Sequence, residues 1–205
     1  MALFILHDSL KAEVRINRRK KEEVAKDLPD KIHMDEWCTL SPEQRALYGG
    51  LQDEVQWLRT ALQRGETVNY TSSILPVLTK LKQICDHPAL VTGEQPVTKI
   101  DGRSEKFDLI LAKIEEITSE GEQVVVFSHF LGMLSLLQAS LNQRQIRHIR
   151  IDGSTNNRQD LIDAFNDGKV QVALCSIIAT DYGINLTSAN HVIHADRWWN
   201  PAVED

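Results

Sequence analysis

The residues best placed to do chemistry lie in four short polar stretches, each directly after an apolar run. They are Ser128-His129 after Gln123-Val-Val-Val-Phe127, Asp152-Gly-Ser-Thr155 after Arg147 to Ile151, Ser176 and its loop after Val170 to Cys175, and Asp196-Arg197 after Ala189 to Ala195. Hydroxyls, glycines and main-chain N–H groups are the donors that hold phosphate, and they bind it without reacting with it. Polarity in a single loop says only that the loop meets water. Four such loops, each following a buried strand, would form one rim if the strands are parallel.

The apolar runs are short, β-branched and bounded by turn residues, the pattern of strands covered on both faces. Between them the sequence predicts helices. Ser104 caps one that carries Phe107, Ile110, Leu111, Ile114 and Ile117 on one face and stops at Gly121. Others run from Phe130 to Leu141 and from Arg158 to Phe165, the last ended by Gly168. Alternating helices and buried strands specify an α/β fold with a parallel sheet and helices on both faces.

The first half reads differently. Lys31 to Leu40 alternates like a strand, and its Asp35-Glu36 pair mimics an acidic magnesium-holding box with no phosphate loop upstream to serve. Ser41-Pro-Glu-Gln44 opens a helix by N-cap, proline at the first turn and capping box, and Leu47, Leu51, Val55, Leu58 and Leu62 continue it to Gly65. Gly49 and Gly50 weaken it by roughly 1 kcal/mol each relative to alanine. A second amphipathic helix, Ser73 to Asp86, ends at His87-Pro88, where the residue before proline is pushed out of helical geometry. His87 reads as a capping or core histidine, since no titratable partner stands at metal or catalytic spacing. Val91 to Arg103 is polar, contains glycine and proline, and marks the expected boundary between a helical part, residues 1–97, and the α/β part, residues 98–205.

The whole chain of 205 residues has 42% hydrophobic and 25% charged residues and a net charge of -6, so any contact with nucleic acid must come from a local cluster. Its three cysteines, Cys38, Cys85 and Cys175, lack zinc spacing and suit thiols in a reducing compartment. His191 and His194 fall on opposite faces of a strand and cannot share a metal. The opening Leu3-Phe-Ile-Leu6 lacks the basic start of a signal peptide, and no stretch is long enough to span a membrane. An intracellular protein without a membrane partner is expected.

Several stretches carry a family resemblance. Ser176 to Thr187, followed by Ala189-Asn-His-Val-Ile-His194 and Trp198-Trp-Asn-Pro-Ala-Val-Glu-Asp205, resembles motif V and its continuation in Swi/Snf-type helicase-like ATPases, especially the bacterial HepA-like members. Val124 to Phe130 is similar to the family's motif IV, Ile151-Asp-Gly-Ser-Thr155 to its D-G-S-T turn, and Arg158 with Phe165-Asn166 to the helix after it. Leu81 to Leu90, Trp37 to Tyr48 and Arg18 to Lys31 resemble signatures of the helical part, the last of them the segment that joins the two lobes.

The resemblance implies the second RecA-like lobe of a superfamily two DNA translocase, a DNA-dependent ATPase that takes ATP and Mg2+ between its lobes. It implies that Ser128, His129, Gly153, Ser154, Thr155, Arg158, Thr180 and Asp181 face the DNA backbone, and that Gly183 and Asn185 couple that grip to ATP. The partners implied are DNA, contacted without sequence preference, and the first RecA-like lobe of the parent chain, in a bacterial cytoplasm or nucleoid.

Trp198 and Trp199 are read as packing residues in preference to a base-stacking platform. Two departures stand out: the spacing between the D-G-S-T turn and Arg158 is two residues short of the family's, and its glycine pair in motif V is here Thr180-Asp181. The chain contains no G-x-x-x-x-G-K-S/T and stops at Asp205, before the arginine motif of the family. It therefore reads as a piece with no catalytic residue and no metal site of its own, which binds neither ATP nor Mg2+. The alternative is a non-catalytic α/β module for protein or DNA interaction derived from the same fold, which Asp181 favours.

Overall fold

The structure is a computed structural model and describes residues 32–94, 99–180 and 184–196. The chain divides into two units, Met1–Trp37 and Cys38–Asp205. In the first, residues 32–37 have no regular secondary structure, so the strand expected from Lys31 to Leu40 does not form there or in residues 38–41. The segment Arg18 to Lys31 lies outside the described residues.

The second unit begins with the expected cap. Ser41 Oγ accepts from Gln44 N at 3.1 Å, Gln44 Oε1 accepts from Ser41 N at 2.9 Å, and α1 runs Pro42–Gly50. The single helix expected as far as Gly65 is in fact two, broken at Leu51, with α2 at Gln52–Gln63. The break follows Gly49-Gly50, where the backbone entropy cost of helix is highest. A π-helical turn at Tyr70–Ile74 leads into α3, Leu75–Asp86, and α4 follows at Ala89–Thr92.

Gln44 ties this part together. It is buried, and its Nε2 donates to Ile84 O at 2.7 Å and Cys85 O at 3.1 Å, satisfying carbonyls at the end of α3 that have no helical partner. His87 is fully buried as an uncharged core histidine. Its Nδ1 accepts from Ala89 N at 3.1 Å, which makes Nε2 the protonated nitrogen and donor to Ile100 O at 2.9 Å, and burial holds its pKa below the usual histidine value.

The segment after residue 98 is anchored. Ile100 is buried in the core, and Arg103 pairs with Glu43 at 2.6 Å and Glu94 at 2.8 Å. Ser104 Oγ accepts from Phe107 N at 3.3 Å to cap α5, Glu105–Ser119, while donating to Asp86 O at 2.8 Å.

Then come β1 Val124–Ser128, α6 Leu131–Gln143, β2 His148–Ile151, α7 Arg158–Asn166, β3 Val172–Ser176, α8 Ile177–Thr180 and β4 His191–His194. The four strands form one sheet in the order β2-β3-β1-β4, every pairing parallel. Strand side chains alternate between faces. Val124, Val126, Val172 and Leu174 pack with α5 and α6 on one face, and Val125, Ala173, Cys175, Ile149 and Ile151 pack with α7 on the other. Burial pushes the Cys175 thiol up to about 12, so it stays protonated as a small core residue.

One strand departs from expectation. β4 was expected to be covered on both faces, but among the described residues it pairs only with β1, and Val192 is 54% exposed. Among the described residues no helix is long and apolar enough to cross a membrane.

A candidate nucleic-acid interface at the carboxyl rim

Because all four strands are parallel, the polar loops after β1, β2, β3 and β4 emerge on one side of the sheet. They are not equivalent once there. Ser128 lies fully buried beneath the rim, where its hydroxyl donates to Asp196 Oδ2 at 2.5 Å and accepts from Phe130 N at 3.1 Å. Ser128, expected to face the DNA backbone, is thus buried with its hydroxyl engaged inside the fold. Asp196, 4% exposed, also receives His129 N at 2.9 Å on Oδ1 and 3.1 Å on Oδ2, so its carboxylate bolts the end of β4 to the turn after β1. The His129 side chain is half-buried, and burial lowers its pKa further than the nearby Asp196 charge raises it. The balance favours the neutral imidazole.

The turn after β2 presents the accessible surface. Gly153 and Ser154 are exposed and Thr155 is half-buried. Asp152 organises the turn, its Oδ1 accepting Ser154 N at 2.9 Å and Ser154 Oγ at 2.6 Å, and its carbonyl accepting Thr155 N at 3.1 Å. The Ser154 hydroxyl, the Ser154 N–H and Arg150 together hold the Asp152 carboxyl below the usual carboxylate range. Arg150 is committed to it at 2.7 Å and reaches Ser135 at 2.9 Å, so its charge is largely neutralised. Gly153 N–H has no acceptor among the described residues. A Cβ added to Gly153 would meet nothing within 4 Å. The glycine is therefore not needed to fit the turn, and what it leaves is bare main chain facing outward.

α7 begins three residues beyond Thr155, and its N-cap Asn157 makes no side-chain capping bond. The first N–H groups of a helix have no partner within it, so α7 adds donors next to the turn, tempered by Asp160 in its first turn.

Arg158 opens α7, its side chain half-buried. Nη2 donates to Asp152 O and Nη1 to Ala179 O, both at 3.2 Å, so two arms of the fork are held by main-chain carbonyls. β3 leads directly into α8, which ends at Thr180; the side chain of Thr180 and the whole of Asp181 and Gly183 lie outside the described residues.

Past them, Asn185 is exposed and its carbonyl accepts from Asn166 Nδ2 at 3.0 Å, while Ser188 Oγ donates to Phe165 O at 3.3 Å. Asn166, at the end of α7, thus fixes the far side of the loop.

Three residues that the sequence reading did not assign to DNA contact or ATP coupling hold the site together: Asp152, Asn166 and Asp196. Two of them were visible as a signal, since an acid immediately after an apolar strand, as at Asp152 and Asp196, must find donors as it leaves the core. Asn166 carried no such chemical cue and was marked only by the resemblance, in the pair Phe165-Asn166. Trp198 and Trp199 lie outside the described residues. His191 meets Glu122, and His194 stacks on Phe127 with ring centroids 5.5 Å apart, so the two histidines do not share a ligand.

The chain has no G-x-x-x-x-G-K-S/T, and among the described residues no group of three or more His, Cys, Asp or Glu could hold a metal.

Comparison with known proteins matches this architecture. The family model for the Helicase conserved C-terminal domain matches residues 105–205, and that for the SNF2-related domain matches residues 6–90. The Sulfolobus solfataricus SWI2/SNF2 ATPase C-terminal domain is 38% identical with a TM-score of 0.69, the match covering 84% of this chain and 75% of that one. The SWI2/SNF2 ATPase core of the same organism in complex with dsDNA is 36% identical with a TM-score of 0.70, covering 95% of this chain and 42% of that one. YwqA of Bacillus subtilis (strain 168), a candidate ATP-dependent helicase/translocase, is 35% identical over 190 residues, which are 91% of this chain and 20% of YwqA. The chain spans about a fifth of the length of the curated relatives it matches.

Proposed function

The chain belongs to the SWI2/SNF2 family of helicase-like ATPases, and from that premise we propose that it works as the second RecA-like lobe of an ATP-dependent translocase on double-stranded DNA. In this reading the lobe grips one strand through its phosphates, and the first RecA-like lobe of the same parent, with ATP and Mg2+ bound between the two, drives it. The observation that carries the reading is the turn after β2, where Gly153, Ser154 and Thr155 stand at the surface beside the uncapped start of α7. With the Ser154 donors and the Thr155 N–H committed to Asp152, the groups left for phosphate oxygens are the Gly153 N–H, the Thr155 hydroxyl and the first N–H groups of α7, and none of them is shaped to a base edge. Phosphate contacts position a protein without specifying sequence, which a motor that walks along DNA requires. A DNA-bound structure among the related ATPase cores supports the same reading.

Within it, His129, Gly153, Ser154, Thr155 and Thr180 lie along the DNA backbone, with Ser128 and Asp196 beneath them. Asp181 limits the grip, Gly183 and Asn185 relay it to the nucleotide, and the chain alone holds no ATP.

The test is fluorescence anisotropy of the chain with two unrelated duplexes at two ionic strengths. Binding should be weak, indifferent to sequence and steeply weakened by salt. Replacing Asp181 by glycine removes a carboxylate that repels a neighbouring phosphate by about 1 kcal/mol in water, so affinity should rise several-fold, more at low salt than at high. Unchanged or weaker binding by a folded Asp181→Gly protein would refute the placement of this loop on DNA and favour an interaction module.

A further inference from the structure

We propose that Arg158 is a positioning residue and not a phosphate ligand: its guanidinium is a strut that locks the turn after β2 to the helix after β3. Its two Nη groups are divided between elements that the sequence separates. One donates to Asp152 O, within the turn that carries Gly153 to Thr155, and the other to Ala179 O in α8, immediately before residues 180–183. Both anchors are themselves fixed. Asp152 O also accepts Thr155 N at 3.1 Å, and Ala179 is 6% exposed.

Position and residue type both point the same way. Arg158 is the first residue of α7, where a cation meets the positive end of the helix dipole, so its charge is not stabilised by its own helix. What arginine offers there is geometry. A planar fork with donors on separate nitrogens can reach two carbonyls at once, whereas lysine ends in one nitrogen on a flexible stem. The fork meets carbonyls on two different elements without requiring them to converge on a single nitrogen.

The consequence is mechanical. A shift of the β2 turn moves α8, and the reverse, because β2 and β3 are adjacent in the sheet and Arg158 closes the gap at their ends. This rests on the DNA-gripping reading for its functional meaning, since it joins the exposed phosphate-facing turn to the loop proposed to relay to the nucleotide. The strut itself stands on the two hydrogen bonds alone.

The experiment compares the wild-type chain with Arg158→Lys and Arg158→Gln by hydrogen exchange and by duplex-DNA titration over a range of salt. If Arg158 is the strut, Arg158→Gln exchanges about ten-fold faster in both residues 152–155 and 177–180, and Arg158→Lys does so in at least one of them. DNA affinity falls a few-fold in both variants, while the slope of log affinity against log salt stays at the wild-type value. A phosphate ligand behaves in the opposite way. Arg158→Lys would keep wild-type exchange and affinity, and Arg158→Gln would flatten the slope by about 0.9, the increment for one lost phosphate contact on B-DNA. That pattern would overturn the proposal. Should Arg158→Gln fail to fold, unchanged exchange in Arg158→Lys is by itself sufficient to overturn it. If the wild-type chain shows no salt-dependent binding of duplex DNA, the DNA reading fails separately, and the exchange data still decide whether the strut exists.

Discussion

Asp86, at the end of α3, offers the sharpest test of the electrostatics. The residue is 1% exposed, its Oδ1 accepts from Lys106 Nζ at 2.6 Å, and its Oδ2 has no hydrogen-bond partner among the described residues. Burial outweighs the attraction of Lys106, the Asp196 carboxylate adds repulsion, Lys82 offsets part of it, and the pKa is pushed up to about 7 from the ordinary 3.8.

Between those two values the folded chain carries a proton on Asp86 that the unfolded chain has lost. The contribution to stability is therefore fully present below about pH 4 and disappears as pH rises through 7. At about 1.4 kcal/mol per pH unit, the span from 3.8 to about 7 amounts to roughly 4 kcal/mol. An asparagine side chain in its place would mimic the protonated acid at every pH. Lys106, whose side chain is 30% exposed, can fall back on water when its partner is neutral. Asp86→Asn should thus match the wild type near pH 4 and exceed it by about 2–4 kcal/mol at pH 8. Urea unfolding of both proteins at the two pH values, followed by circular dichroism, measures this directly. A variant less stable than the wild type at pH 8 would refute the reasoning, because it would mean that the ion pair with Lys106 outweighs the cost of burying the charge.

Two further outcomes are expected. Asp196→Ala removes the acceptor for Ser128 Oγ and His129 N, and a buried donor left without a partner costs about 1–3 kcal/mol, so urea unfolding should show a loss of roughly 3 kcal/mol. Restored stability in Asp196→Asn would be no more than partial, since the amide offers a single accepting oxygen. Gly153→Ala should leave stability within about 0.5 kcal/mol, there being open space for the methyl group, yet weaken duplex binding in the anisotropy assay if main chain at this turn approaches phosphate closely.

Much of the molecule was legible from the chain alone. The strands at 124–128, 148–151 and 172–176 follow from short β-branched runs, and Ser41, Ser104, Gly121 and Gly168 mark helix ends where the structure has them. These are local rules, in which the capping oxygen, the left-handed glycine and the apolar spacing act within a few residues of one another. Local rules also misled. The alternation from Lys31 to Leu40 has no partner strand among the described residues, and propensity could not reveal that Gly49-Gly50 breaks the helix outright instead of only weakening it. The family and the rim of polar loops could be read too, since both depend on residue type and order.

What the linear sequence could not decide was which polar side chains face outward. Ser128 and Ser154 look alike as serines in loops after strands, yet one is buried against Asp196 across a separation of 68 residues and the other is exposed. Arg158 looks like a phosphate ligand until Ala179, distant in sequence and adjacent in space, accepts from it. Burial and the choice of hydrogen-bond partner depend on which elements the sheet order β2-β3-β1-β4 makes neighbours, and no window along the chain contains that order.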